Sequence, residues 1–145
     1  MRTRLFLFQV AALVSGSVYV ATLDVPIIAT SANTADGNKS GGPETGEVEA
    51  LSLATGKVEW DAKLPSMPLG GATVSQDLVF TTLYTGELLA LNRNTGAIVY
   101  RQQLPTSANA PISVFGNTVL VPAGGPQTSS SGGGKSPQLV AYTVP

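Results

Sequence analysis

Two stretches of the chain, forty positions apart, spell one pattern. GEVEALSLATGKVEWDAKLP runs from Gly46 to Pro65, and GELLALNRNTGAIVYRQQLP from Gly86 to Pro105. At that offset 8 of 20 positions are identical, among them Gly46/Gly86, Ala50/Ala90, Leu51/Leu91, Thr55/Thr95, Gly56/Gly96 and Pro65/Pro105. Val48/Leu88, Val58/Ile98 and Trp60/Tyr100 are conservative pairs. Chance alone gives about one identity, so the chain holds an internal repeat. A repeat constrains the fold strongly, because each copy must bury its apolar faces against its neighbours. A motif present in every copy is structural before it is chemical.

The repeat extends both ways. GATVSQDLVFTTL (Gly71–Leu83) matches the pattern of APISVFGNTVLVP (Ala110–Pro122) about forty residues on, and of AALVSGSVYVATL (Ala11–Leu23) sixty residues back. The sixty-residue offset sets Val14-Ser15 on Val74-Ser75, and Val18-Tyr19-Val20 on Leu78-Val79-Phe80. The extra twenty residues fall in Ile27–Gly46, rich in Gly, Ser, Thr and Asn, which is expected to be a polar loop. A last partial copy, Pro137–Val144, follows a second polar stretch at Gly124–Ser136. The middle unit shows four short apolar runs, at 71–75, 78–83, 87–92 and 97–103. Four strands per forty residues, joined by tight turns, predict a propeller blade.

Turn chemistry agrees. LATGK and RNTGA each place a glycine, Gly56 and Gly96, late in a short hairpin connection, where φ > 0 is commonly required. Thr55 and Thr95 can hydrogen-bond the turn backbone. Runs such as LVF, LLAL and TVLV do not alternate with polar residues, as strands buried on both faces do not. The predicted fold is therefore all-β, an incomplete β-propeller of four-stranded antiparallel blades. The expected units are a blade at 9–62 with a long insertion at 27–46, a complete blade at 63–104, and a final blade at 105–145 without its outer strand.

The string Ala50-Leu51, Thr55-Gly56, Trp60 resembles the repeat of quinoprotein-like (PQQ-like) β-propellers, and Ala90-Leu91, Thr95-Gly96, Tyr100 repeats it. The resemblance covers nearly the whole chain from about Ala11. It implies that Trp60 and Tyr100 are wedges between blades; for Trp60, a stacking platform for a flat ligand is the functional alternative. The family often has Asp after the Ala-Leu pair; here Ser52, Asn92 and Thr143 stand there, and Tyr100 replaces the usual Trp. Its members include PQQ-dependent alcohol dehydrogenases, a propeller lipoprotein of outer-membrane assembly, and secreted repeat proteins without known chemistry. The dehydrogenases are expected to use PQQ, calcium, a catalytic Asp and often a vicinal disulfide. No residue here is assigned to such a site.

Composition narrows the chemistry. With no Cys there is no disulfide, thiolate metal site or cysteine nucleophile, and with no His most triads and zinc motifs fall away. The eight Lys and Arg are scattered, which argues against nucleic acid as a partner. The nine acidic residues follow no EF-hand spacing, and Glu47 and Glu87 recur at one repeat position, as strand-start residues do. Gly132–Gly134 lies in a Ser/Gly/Pro tract and resembles a flexible loop more than a phosphate cradle.

Propellers close with four to eight blades, and this chain holds fewer. It is expected to be the last part of a longer propeller, its final copy ending after three strands. The N-terminus allows two readings. Arg2, Arg4 and the apolar run after them fit a signal peptide that starts within 1–8 and is cleaved near Ser17. Alternatively, Val14-Ser15 and Val18–Val20 are blade strands, the reading the repeat favours. The apolar run is short for a membrane span. The sequence thus predicts a periplasmic or extracellular, non-catalytic scaffold or binding module, with no cofactor of its own and with missing blades or another protein as partner. The alternative is the C-terminal part of a PQQ-dependent alcohol or sugar dehydrogenase. In that case PQQ and calcium would be bound mainly by other blades.

Overall fold

The computed structural model describes residues 2–5, 11–31, 34–40, 42–124 and 136–143. Among the described residues there are thirteen strands, all paired antiparallel, and no helix. The first sheet contains β1 (Arg2–Leu5), β2 (Ala12–Val14), β3 (Ser17–Ser31), β4 (Thr34–Ser40), β5 (Thr45–Ser52) and β6 (Val58–Leu64). Its blade portion runs β2-β3-β5-β6. The second sheet has the order β7 (Thr73–Ser75), β8 (Leu78–Thr82), β9 (Glu87–Asn92), β10 (Ile98–Gln103). The third has β11 (Ser113–Phe115), β12 (Thr118–Ala123) and β13 (Gln138–Thr143). Among the described residues no strand pairs with the outer edge of β13.

The sheets pack face to face and form two cores. Tyr19, Ala21, Val48 and Ala50 of the first sheet meet Val79, Leu89 and Leu91 of the second. Phe80, Leu88 and Ala90, on the opposite face of the second sheet, meet Val119, Val121 and Ala123 of the third. The second sheet is thus covered on both sides, and Val79–Thr82 and Leu88–Leu91 are all buried. That is why its strands do not alternate in sequence. In β5 burial does alternate, because only one face of the first sheet is covered.

The structure corrects the alignment of the inner strands by one residue. Val14 pairs with Ser17 across the first tight turn, Ser75 with Leu78 across the second, and Phe115 with Thr118 across the third. Ser17 therefore corresponds to Leu78 and Val18 to Val79, an offset one larger than sixty. Thr118 corresponds to Leu78, which keeps the third copy at the forty-residue offset. A one-residue slip turns every side chain to the other face, and the pairings settle which is right: Tyr19 lies opposite Ala50 as Phe80 lies opposite Ala90. Ala12–Val14 and Ser17 onward are blade strands, the reading the repeat favoured, and Arg2–Leu5 pairs with Val25–Ile28.

The polar insertion also differs from expectation. Ile27–Gly46 is not one loop: β3 continues through Ser31, and β4 pairs back on it with Ile28 opposite Asp36 and Ala29 opposite Ala35. Strand pairing satisfies backbone groups whatever the side chains are, so a segment poor in apolar residues can still join a sheet. Pro26, which has no amide proton, stands where the pairing of β3 passes from β5 to β4. The second polar stretch, from 125 to 135, lies outside the described residues.

Each of the three tight turns takes positive φ at its first central residue, which in the first is Ser15 at 51°. Gly116 takes φ 55° in the third, whereas Gln76 takes φ 51° at the matching position of the second. A side chain in that region clashes with the backbone, at a cost of about 1–2 kcal/mol. Gln76→Gly is therefore expected to stabilise the chain by about 1 kcal/mol, less than the full relief because glycine loses more entropy on folding. Urea melts of the two forms check this, and a destabilised variant would contradict the turn assignment.

Candidate functional site

The repeat motif sits at the seams between sheets. Ala50 and Ala90 occupy equivalent places on β5 and β9, each buried and turned toward the following sheet. Leu91 is buried against the first sheet, while its counterpart Leu51, with no described sheet before it, is half-exposed. The β5–β6 and β9–β10 turns share one hydrogen-bond plan. The Gly56 and Gly96 amides donate to the Ser52 and Asn92 carbonyls at 2.8 and 2.9 Å. Thr55 and Thr95 hydroxyls accept from the Lys57 and Ala97 amides, both at 3.3 Å. Asn92, where the family often has Asp, caps its turn by accepting from the Asn94 and Thr95 amides. Gly56 and Gly96 have φ of 68° and 71°.

Trp60 closes the first seam. Its indole N–H donates to the Arg93 carbonyl at 2.8 Å, and its ring lies 5.9 Å from that of Tyr19. A Cβ placed on Gly96 would stand 2.6 Å from Trp60 Cε3. The ring of one sheet thus rests on the bare glycine of the next sheet's turn. Both its polar atom and its face are engaged within the chain.

Tyr100 holds the same place at the second seam, and among the described residues no turn covers it. The turn that would receive it follows β13 in the repeat, beyond Thr143 and outside the described residues. Tyr100 is 46% exposed, and its hydroxyl donates to Gln102 Oε1, at 3.3 Å, two residues along its own strand. Beside it a groove of about 290 Å³ opens between the second and third sheets, walled by Phe80, Leu88, Ala90, Val119 and Tyr142. Burial raises the Tyr142 hydroxyl above its ordinary pKa, and Tyr100 adds to the shift. The Tyr142 phenol is therefore neutral at pH 7. The groove is an apolar cleft with two phenol groups and no charged lining residue.

The densest acidic group lies elsewhere, on the outward face of the first sheet. Lys63 bridges Asp61, at 2.8 Å, and Glu47. Those two hydrogen bonds, Asp61 first, hold the ammonium above its usual pKa. Burial pushes the neighbouring Glu49 carboxyl up from 4.5; Glu47 and Asp61 add to the shift and Lys63 opposes it. A cation at these carboxylates would compete with the ammonium already there. Among the described residues no three His, Cys, Asp or Glu side chains are arranged to hold a metal. The donor set present does not fit the calcium and quinone site implied by a dehydrogenase. Among the described residues, no helix is long and apolar enough to cross a membrane.

The groove was not legible in the sequence. Phe80, Leu88 and Tyr142 resemble ordinary core positions, and nothing in their local pattern marks them as the walls of a groove.

Comparison with known proteins agrees with the all-β propeller fold. Residues 44–142 match the PQQ-repeat family model described as outer membrane protein assembly factor BamB. The chain belongs to the PQQ-like repeat family. A polyvinylalcohol dehydrogenase of Pseudomonas sp is 34% identical over 70 residues, which are 48% of this chain and 10% of that protein. The chain therefore spans about a tenth of that relative. The europium-containing methanol dehydrogenase superposes with a TM-score of 0.63 at 16% identity, over 99% of this chain and 24% of the other. Quinohemoprotein alcohol dehydrogenase from Comamonas testosteroni gives 0.60 at 20% identity, over 75% and 20%. These structural likenesses show the fold.

Proposed function

We propose that this PQQ-like repeat chain is a non-catalytic binding or scaffold module, exported from the cytoplasm. The Tyr100–Tyr142 groove carries the reading. At the first seam the equivalent space is closed by a Gly-containing turn, with Trp60 over Gly96. The second seam presents the same apolar walls and an uncovered aromatic ring. Its natural occupant is therefore a hairpin turn with a bare glycine, supplied by further blades or another protein along the free edge of β13. The family's description as an outer-membrane assembly factor supports an extracytoplasmic location and a role in protein contacts.

A second reading is favoured by the dehydrogenase relatives: the chain would be the terminal part of a PQQ-dependent enzyme. Against it, among the described residues no three His, Cys, Asp or Glu side chains are arranged to hold a metal, and Lys63 already bridges Glu47 and Asp61 on the first sheet. Calorimetry of the purified chain with PQQ and calcium separates the readings. No binding heat is expected, and micromolar PQQ affinity that needs calcium would overturn the scaffold reading.

A further inference from the structure

The two outer faces of this chain are the two halves of a contact it already makes twice internally. Facing away from the second sheet, the third carries Leu120, Pro122, Leu139 and Ala141. The alternation of β12 and β13 puts these opposite to Val119, Val121, Val140 and Tyr142, which belong to the second core. Leu139 is 66% exposed, and Phe115 lies on the same side at the end of β11. This face has no charged residue on any of its three strands. On the first sheet the outward face carries Leu13, Val18, Val20 and Leu51, in register across β2, β3 and β5. Leu13 is 61% exposed. Val18 and Leu51 match Val79 and Leu91, which the second sheet buries against the first.

We infer that the outward face of the third sheet docks on the outward face of the first sheet of a second copy, head to tail. Each such contact repeats the internal ones, a face that looks forward meeting a face that looks back. A head-to-tail contact yields either a ring or an open series. Two copies bring six sheets from the described residues, within the four to eight at which propellers close, so a two-copy ring is the expected assembly. The inference rests on the open faces and not on what fills the Tyr100 groove, which lies between the second and third sheets.

One residue works against tight association. Where the second sheet buries Leu89 completely, the first has Glu49, with Glu47, Asp61 and Lys63 beside it on the same face. Docking takes that carboxylate out of water, so the pair should be weak and reversible.

Sedimentation equilibrium of the full chain tests the inference. The expected mass is that of two copies, in exchange with one. Leu13→Glu and Leu139→Glu replace exposed side chains, and each alone should give a monomer. Mixing these two variants should restore a one-to-one pair, because one copy retains a good first face and the other a good third face. Glu49→Leu should tighten the wild-type pair roughly tenfold or more. A wild-type monomer at every concentration reached would overturn the inference. So would a dimer that survives both glutamate substitutions, or variants that fail to pair when mixed, the mark of a self-complementary interface. Circular dichroism of each variant confirms that a lost pair is not a lost fold.

Discussion

Trp60→Ala is expected to cost about 3 kcal/mol of stability, near the low end for aromatic-to-alanine changes in cores because the ring is only part-buried. Three losses combine. The ring's apolar area against Tyr19 and the Gly96 turn goes, a void opens at the seam, and the Arg93 carbonyl loses its indole donor. Trp60→Phe keeps most of the area and loses the hydrogen bond, so it should cost about 1 kcal/mol. Tyr100→Ala is the internal control. It removes an aromatic ring from the same repeat position, but one that is 46% exposed, with no turn among the described residues beneath it. Its cost should be well below that of Trp60→Ala. Denaturant melts of the three variants rank them. Equal costs at positions 60 and 100 would mean that the seam does not depend on the covering turn.

The partner substitution should be comparably severe. Gly96→Ala places a Cβ at φ 71°, which costs about 1–2 kcal/mol for backbone reasons alone. The same Cβ would stand 2.6 Å from Trp60 Cε3 and 2.9 Å from Cδ2, so the indole must shift and give up its bond to Arg93. The total should reach about 2–3 kcal/mol. In a Trp60→Ala background the steric part vanishes and only the backbone part remains. The two substitutions should therefore couple by about 1 kcal/mol in a double-mutant cycle. Strict additivity would show that the ring and the glycine do not meet in solution. By contrast Gly56→Ala, whose Cβ would meet nothing within 4 Å, should show the backbone cost alone.

Much of this architecture is legible in the residues. The forty-residue period, the Thr-Gly turns at 55–56 and 95–96 and the unbroken apolar runs at 78–83 and 87–92 are local or nearly local properties. Backbone sterics give Gly56 and Gly96 their positive φ, and burial on two faces removes alternation from β8 and β9. The inner-strand register was misread by one residue because the strand before each turn is only three residues long. Runs such as SGSVYV and SQDLVF then fit two offsets almost equally well. Only the closing pairs, Val14 with Ser17 and Ser75 with Leu78, decide between them. The strand at Thr34–Ser40 escaped because its pairing is carried by backbone groups and leaves no apolar pattern.

Sequence alone determined the repeat, its turns and the class of fold, since these follow from steric and hydrophobic preferences that act within some forty residues. It also determined the lack of thiol and imidazole chemistry, which is a matter of composition. Only the tertiary structure decided that Trp60 is covered and Tyr100 is not. The two rings hold one position in one motif, and their difference comes from whether another sheet's turn is there to meet them. The same holds for Glu49 and Leu89, equivalent residues of which one is half-exposed and the other fully buried. The physical reason is that burial belongs to a pair of surfaces. A repeat specifies one surface in every copy, and the stacking of the sheets determines which copies find the other.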